Sequence, residues 1–584
     1  MLTVQLEDWF HVRAFHKLID REQWYRFETR LERNTHAALE LLDRHQAKAT
    51  FFVLGWVAAR LPDLLAEIAR RGHEVACSDF SHRSIKELTP DRFRNEVQHA
   101  REAVEIATGQ RVHGFRISQG WFSRHDAWAL DALAELGFEY DASLLPRKLG
   151  FLEQPERRGI HRVETNHGSL WEVPPSTTRL CGLNVPIAGG NWFRQLPRDF
   201  INGAIEDWNR HQKSPFVMYF HAWELDLEQP RIGAAGFVSR MRQYRNLDRL
   251  REMVDELLSK HRFGTIAEAL NLEPASADVS KSALGGASDE SPARLNSHEF
   301  GFGVSTTLKS KPVAANATRA TIVIPCFNEE DSLPYLARTL ERVEYELAPN
   351  IAPTFLFVDD FSRDRTWDVM HDVFGSKPNC RFVQHEKNSG VSAAILTGVK
   401  HAETEVVCSM DCDCSYDPVE LKRMIPLLTD DIDLVTASPY HPEGRVKNVP
   451  GWRLLLSKGL SQLYRFVLPQ RLHTWTSCFR VYRKSIIQQL DLRETGFLGT
   501  AELVAQLSLR GSKIVEHPAT LEVRIFGESK MKTMRTIRGH LRLIARFLRE
   551  RFWGLPPPAQ NSSQRLDAPS AAMAGASPSE RGGA

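Results

Sequence analysis

Residues 406–418 read Val-Val-Cys-Ser-Met-Asp-Cys-Asp-Cys-Ser-Tyr-Asp-Pro, an apolar run that ends on Asp411, Asp413 and Asp417. The run is short and bounded by polar residues, as a buried strand would be. Alternate residues of a strand share a face, so Asp411 and Asp413 point the same way. Carboxylate oxygens paired on one face suit a hard divalent cation such as Mg2+ or Mn2+. A solvated acidic turn would read the same in isolation, so the neighbouring segments decide.

Two upstream segments have the same form. Ile322-Val323-Ile324-Pro325 leads into Cys326-Phe327-Asn328-Glu329-Glu330, and Phe355-Leu356-Phe357-Val358 leads into Asp359-Asp360-Phe361-Ser362-Arg363-Asp364. Helical stretches lie between them. Three apolar strands that deliver carboxylates to one edge describe an α/β domain with its active groups at the carboxyl ends of parallel strands. Such a cluster calls for a cation, and a cation can neutralise a departing diphosphate.

The chain has 584 residues, more than one core can organise, so at least two domains are expected. It is 42% hydrophobic and 25% charged, the balance of an ordinary globular protein. A net charge of +2 leaves any basic surface local, and no nucleic-acid partner is expected. Eight scattered cysteines form no paired framework, which suits a reducing cytoplasm. Cys408, Cys412 and Cys414 lack the second pair that a zinc site needs. No apolar run reaches the roughly 18 residues of a membrane span, and MLTVQLEDWF lacks a signal-peptide layout. The expected location is the cytoplasm, with the inner face of the cytoplasmic membrane as a docking surface.

Two stretches punctuate the chain. Residues 273–318 are rich in Ser, Ala, Gly, Asn and Lys and read as a flexible linker, and residues 555–584 read as a disordered tail. Two blocks remain, 1–272 and 319–554. The first is also α/β: ATFFVLG and HEVAC read as strands, WVAARLPDLLAEIARRG as a helix between them, and PFVMYFHAWELD as a late strand. Near the end of the second block, Met534, Ile537, Leu541, Ile544 and Leu548 share a helix face. Arg535, Arg538, Arg542, Arg546 and Arg549 form a stripe beside it, and Phe552 and Trp553 follow. A basic amphipathic helix of this kind lies on an anionic membrane surface, or packs on a core with its basic face solvated.

Taken in order, these motifs resemble the family 2 glycosyltransferases, specifically the dolichol- or polyprenyl-phosphate mannosyltransferase branch, over about 319–545. The resemblance implies a GT-A (Rossmann-like) fold. It implies nucleotide-sugar binding by Pro325, Asn328 and Glu329, by Asp359 and Asp360, and by the turn Asn388-Ser-Gly390. Asp411 and Asp413 are implied as metal ligands for Mg2+ or Mn2+. Arg453, Ser457, Arg480, Arg524 and Lys530 are implied near the donor phosphates. Thr476-Ser-Cys-Phe-Arg480 matches a further motif, and Glu502 an acidic position. Ser415 and Pro439 depart from the family's usual Gln and Arg. A lipid-phosphate acceptor is already an anion and needs no general base, whereas a hydroxyl acceptor would need a carboxylate such as Asp417 or Glu502.

Residues 1–272 resemble polysaccharide deacetylases of the NodB-homology type, which implies a distorted (β/α) barrel. The matching segments include the start Leu2-Thr-Val-Gln-Leu-Glu-Asp-Trp-Phe10, Ser81-His82-Arg83 and His221-Ala-Trp-Glu224. The family's metal, often Zn2+, would be held by Asp8 (or Glu7) and His82, with Asp79 as a shifted ligand and His221 as the acid. The base position carries Gln5, an amide that cannot take a proton, and the first metal histidine is replaced by Ser78. These two losses together imply that deacetylation is lost, while a saccharide-sized groove remains. Three functions stay open: a glycosyltransferase acting on a polyprenyl-phosphate or oligosaccharide acceptor with a silent deacetylase-like partner; a bifunctional deacetylase and glycosyltransferase; and a non-catalytic carbohydrate-binding scaffold.

Overall fold

The computed structural model describes residues 1–146, 155–180, 183–272, 311–527 and 533–553. Most of the expected linker, the expected tail and Lys530 lie outside the described residues.

Ten strands build the N-terminal half: β1 (Leu2–Leu6), β2 (Thr50–Val53), β3 (Glu74–Cys77), β4 (Gly114–Phe115), β5 (Tyr140–Asp141), β6 (His161–Thr165), β7 (Gly168–Glu172), β8 (Thr177–Leu180), β9 (Leu183–Pro186) and β10 (Met218–His221). Eight of them form one sheet in the order β10-β1-β2-β3-β4-β5-β7-β6. All neighbours are parallel except β6 and β7. The distorted barrel therefore stays open, with β10 and β6 as its edges. All five residues of β1 are buried, as expected of a parallel strand covered on both faces. The long helix read from sequence is two helices, Gly55–Arg60 and Pro62–Arg70. Pro62 has no N–H to continue the first helix and starts the second instead.

The C-terminal half holds β11 (Thr318–Cys326), β12 (Ile351–Asp359), β13 (Cys380–Gln384), β14 (Val406–Ser409), β15 (Leu434–Ser438), β16 (Arg445–Lys447), β17 (Arg480–Arg483), β18 (Ile514–Pro518) and β19 (Thr520–Glu522). Seven of these form a sheet in the order β13-β12-β11-β14-β17-β15-β18, a GT-A arrangement. β11 lies between β12 and β14 and is parallel to both, so the three acidic strand ends emerge side by side. β17 runs antiparallel to both its neighbours.

One buried core runs through both halves. Trp9 and Phe27 from the first half pack on Phe526 from the second, at ring separations of 6.3 and 6.1 Å. Phe27 also meets Tyr335 edge-on at 5.1 Å.

The C-terminal helix Thr533–Trp553 packs through His540, Leu543, Ile544 and Phe547, all buried. The apolar stripe expected from its sequence is thus split. Ile544 faces the core, whereas Leu541, Leu548 and Phe552 are exposed beside Arg538, Arg542 and Arg549. Arg546 turns inward to Glu502. Among the described residues no helix is long and apolar enough to cross a membrane.

Candidate active site

The carboxyl ends of β11, β12 and β14 open on a cleft of about 1110 Å³. Pairing sets the three ends at one level: the Asp360 N–H donates to the Cys326 carbonyl at 2.8 Å, and Met410 N–H to Val323 at 3.1 Å. Asp411 is partly buried, and its carboxyl is pushed up to about 7, first by desolvation and then by the charge of Asp413. The Cys478 thiol hydrogen-bonds Asp411. Asp413 accepts from the Ser415 N–H at 2.9 Å and its hydroxyl at 2.7 Å. The Arg524 guanidinium spans the site, 2.6 Å from Asp413 and 2.7 Å from Glu329. Two carboxylates on one strand end, one of them held near neutrality, are a fitting donor set for a divalent cation that brings its own oxygen ligands with a diphosphate. Among the described residues no three His, Cys, Asp or Glu side chains converge as a complete protein cage.

Eight of the residues singled out from sequence line this cleft: Pro325, Glu329, Asp360, Asp411, Asp413, Arg453, Ser457 and Arg524. Arg453 has a buried Nε with no hydrogen-bond partner among the described residues, so it carries a donor to spare. Part of the cleft lining is apolar. Leu455, Leu456, Leu463, Phe497 and Leu541 belong to it and are themselves exposed, as is Trp452.

Other expected roles need correction. Asp359 is sealed inside, accepting from Gln384 Nε2 at 2.9 Å and from Ser362. Asp360 accepts from the N–H groups of Ser389 and Gly390, both at 2.7 Å, and pairs with His385 at 2.8 Å. These two carboxylates shape loops rather than stand free for a ligand. Gly390 has φ +95° and lies against the Thr495 carbonyl, so a side chain there would be strained and crowded. Asn328 does not line the cleft; its side-chain oxygen accepts from the Arg363 N–H at 2.7 Å. Arg480 is buried behind the wall and donates to the carbonyls of Thr500 and Trp475 at 2.8 and 3.0 Å. Burial pulls its guanidinium down to about 10. Glu502 is fully buried and takes up Arg546, Gln506 and two backbone N–H groups. Asp417 lies outside the cleft and pairs with Arg26 of the N-terminal half at 2.8 Å. Neither candidate base is placed to serve a hydroxyl acceptor.

The N-terminal edge is arranged differently. The register puts Gln5 beside His221. Gln5 is 2% exposed, and its amide nitrogen has no hydrogen-bond partner among the described residues. His82 stands 3.6 Å from Glu7, not beside Asp8. Burial opposes charge on both, yet each raises the other's charged form: His82 is shifted up, and Glu7 is held down by His82, His221 and Arg116. Asp8 instead caps the turn at Trp9 and Arg30, accepting their N–H groups at 3.0 and 3.1 Å, and burial pushes it up to about 7. Asp79 accepts from the N–H groups of Arg83 and Ser118 at 2.7 and 3.0 Å. Both expected aspartate ligands thus accept backbone N–H groups. His221 is held by Glu224, which is itself in a fully buried ion pair with Arg194. Sequence reasoning missed Gly233 and Ala234, which reach into the transferase cleft from the N-terminal half.

Comparison with known proteins divides the chain as the two sheets do. Residues 20–140 match polysaccharide deacetylase, and residues 142–271 match a domain of unknown function. A solved structure described as a polysaccharide deacetylase, from Mycobacterium smegmatis, is 21% identical; it covers 47% of this chain and 91% of its own, with a TM-score of 0.31. Residues 321–491 match glycosyl transferase family 2. The dolichol-phosphate mannosyltransferase of Pyrococcus furiosus is 30% identical over 239 residues, 40% of this chain and 64% of its own length. This chain therefore spans just under two thirds of that relative. The polyprenol monophosphomannose synthase of Mycolicibacterium smegmatis is 32% identical over 228 residues, 38% of this chain and 84% of its own length. Identity of that degree along most of a relative, over the stretch that builds the acidic edge, places this chain in glycosyl transferase family 2, with a polysaccharide deacetylase domain fused ahead of it.

Proposed function

We propose that the chain transfers a glycosyl group from a nucleotide-sugar donor to a polyprenyl phosphate, with inversion, and that its deacetylase-like half is catalytically silent. The observation that carries this reading is one cleft lined both by Asp411, Asp413, Glu329 and Arg524 and by exposed apolar side chains. The acidic residues suit a diphosphate held through Mg2+ or Mn2+, and the apolar residues suit an isoprenoid tail. The cation, when bound, would offset the negative charge that builds on the leaving diphosphate.

The chain's own residues supply the rest. Asp411 and Asp413 would hold the cation, and Arg524 would exchange its carboxylate partners for phosphate oxygens as donor enters. Arg453 offers its unspent Nε–H to a phosphate. The acceptor phosphate attacks the anomeric carbon from the face opposite the diphosphate. It needs no general base, in keeping with the commitment of Asp417 and Glu502 elsewhere. The exposed Leu455, Phe466, Leu541 and Phe552, beside Arg538, Arg542 and Arg549, would rest the cleft mouth on an anionic leaflet at the cytoplasmic face.

The test uses the full chain with Mn2+, polyprenyl phosphate and a panel of nucleotide sugars, mannosyl donors first because both curated relatives are named for mannose. Glycolipid formation is the expected result. A folded protein that turns over no donor would sink the reading. For the silent half, no acetate should leave an N-acetylated oligosaccharide; release by the wild-type chain would show that the loss of base and ligand is compensated.

A further inference from the structure

The transferase cleft is not built by the transferase half alone. Residues 231–235 of the N-terminal half run along residues 523–527 of the C-terminal half. The Gly233 N–H donates to the Ile525 carbonyl at 2.9 Å, and Ile232 forms a β-bridge with Phe526. A Cβ on Gly233 would stand 2.3 Å from the Gly527 carbonyl oxygen, so the two backbones approach as only glycine allows. Ile525 directly follows Arg524, the residue that spans Asp413 and Glu329.

A second grip falls on the metal loop. Arg26 is 3% exposed and places Nη2 2.8 Å from Asp417, four residues after Asp413. Its Nη1 reaches the Tyr335 hydroxyl at 3.5 Å. Gln23 donates to Glu522 at 2.7 Å, and Lys447 reaches back to Asp20 at 2.6 Å. Between the polar contacts lies the buried aromatic cluster of Trp9, Phe27, Tyr335 and Phe526. An apolar centre with a polar rim is the anatomy of a permanent interface.

We propose that Arg26 and Gly233 are positioning residues for the transferase: they hold the 411–417 loop and the 523–527 segment at the separation at which Arg524 bridges Asp413 and Glu329. The deacetylase-like half is then a fixed wall of the transferase centre. The inference rests on the transferase reading of the cleft, but its first readout does not need turnover.

Full-length Arg26→Gln, Arg26→Lys and Gly233→Ala are compared with wild type and with Glu164→Ala, an exposed change on the far edge strand β6. Amide hydrogen exchange is followed without substrate. Peptides covering 411–417 and 523–527 should exchange about tenfold faster or more in Arg26→Gln and Gly233→Ala, with β11 to β13 unchanged. Arg26→Lys should recover part of the protection. Where wild type turns over, kcat should fall about tenfold while donor KM moves less than about threefold, a loss confined to the reacting geometry. Unchanged exchange in both variants would overturn the proposal. So would a uniform rise across β11 to β13, which would make the role one of general stability. A wild-type chain without turnover but with the local exchange pattern would sink the transferase reading and leave the docking intact.

Discussion

The carboxyl edge of β11, β12 and β14 presents Asp411 and Asp413 to an open cleft, while the edge of β1 and β3 sets Glu7 against His82 and turns Asp8 and Asp79 to backbone N–H groups. Both edges are α/β strand ends carrying carboxylates. They differ in what remains unsatisfied. At the first edge Asp411 sits partly buried beside a like charge and is held near neutrality, which a cation would relieve. At the second, Glu7 and His82 satisfy each other, and the Gln5 amide nitrogen, without a partner among the described residues, belongs to a group that can neither accept a proton at neutral pH nor hold a metal strongly. A motif keeps its chemistry only where the fold leaves its groups something to do.

Removing one carboxylate from each edge is the strongest challenge to that contrast. Asp413→Ala should lower glycolipid formation by about a thousandfold, a loss of the order expected when a charge-stabilising group is deleted. Glu7→Gln should leave it within about threefold. Equal losses in both variants would erase the distinction. Next in size is Glu502, which the sequence alone cannot separate from a cleft carboxylate. Glu502→Ala removes a partner of the partly buried Arg546 and the acceptor of the Arg493 and Glu494 N–H groups, and should cost about 1–3 kcal/mol in a urea titration. A variant with wild-type stability but no turnover would return Glu502 to the chemistry.

Both halves also carry buried neutral imidazoles, His11 and His73 in the first and His540 in the second. Burial lowers both His73 and His540 to about 4, from an ordinary 6.5. The unfolded chain therefore takes up protons first, so stability falls as pH drops from about 6.5 to about 4 and is level above that window. Each imidazole contributes at most about 3 kcal/mol to the loss. His540→Phe should flatten the acid limb for the C-terminal half; an unchanged limb would place the sensitivity elsewhere. The smallest effect concerns Asp417. A general base would cost about 10²- to 10⁴-fold when removed, whereas Asp417→Asn, which can still accept from Arg26, should reduce turnover by less than about tenfold.

The sheets and the acidic edge were legible because they depend on local pattern. Val406 through Asp413 carry strand and charge in one short run, although β14 ends at Ser409 and Asp411 and Asp413 follow it in a turn rather than sharing a strand face. The partner of a charge is not local. Asp417 pairs with Arg26, 391 residues away, and Glu502 with Arg546, 44 away. Nothing near either carboxylate records that it is occupied, so both read as candidate bases. Arg480 read as a phosphate contact because its charge suits a phosphate and it closes a family-like Thr-Ser-x-Phe-Arg motif, yet its side chain is buried and donates to the Thr500 and Trp475 carbonyls. The interface had a signal that pattern reading passed over: Trp9, Phe10, Phe15, Trp24, Tyr25 and Phe27 crowd one short N-terminal stretch. Few small domains need so many rings in one loop, and here part of the set covers Phe526 and Tyr335.

That aromatic cluster also sets a clock on biosynthesis. Phe27 leaves the ribosome roughly 500 residues before Phe526 does, and at translation speeds of about 5–20 residues per second the interval is about 25–100 s. Throughout it the nascent N-terminal half displays Trp9 and Phe27 without their cover. Newly made chains should therefore engage holdase chaperones until synthesis ends, and transcripts truncated before Phe526 should yield protein that aggregates rather than a free-standing deacetylase-like domain.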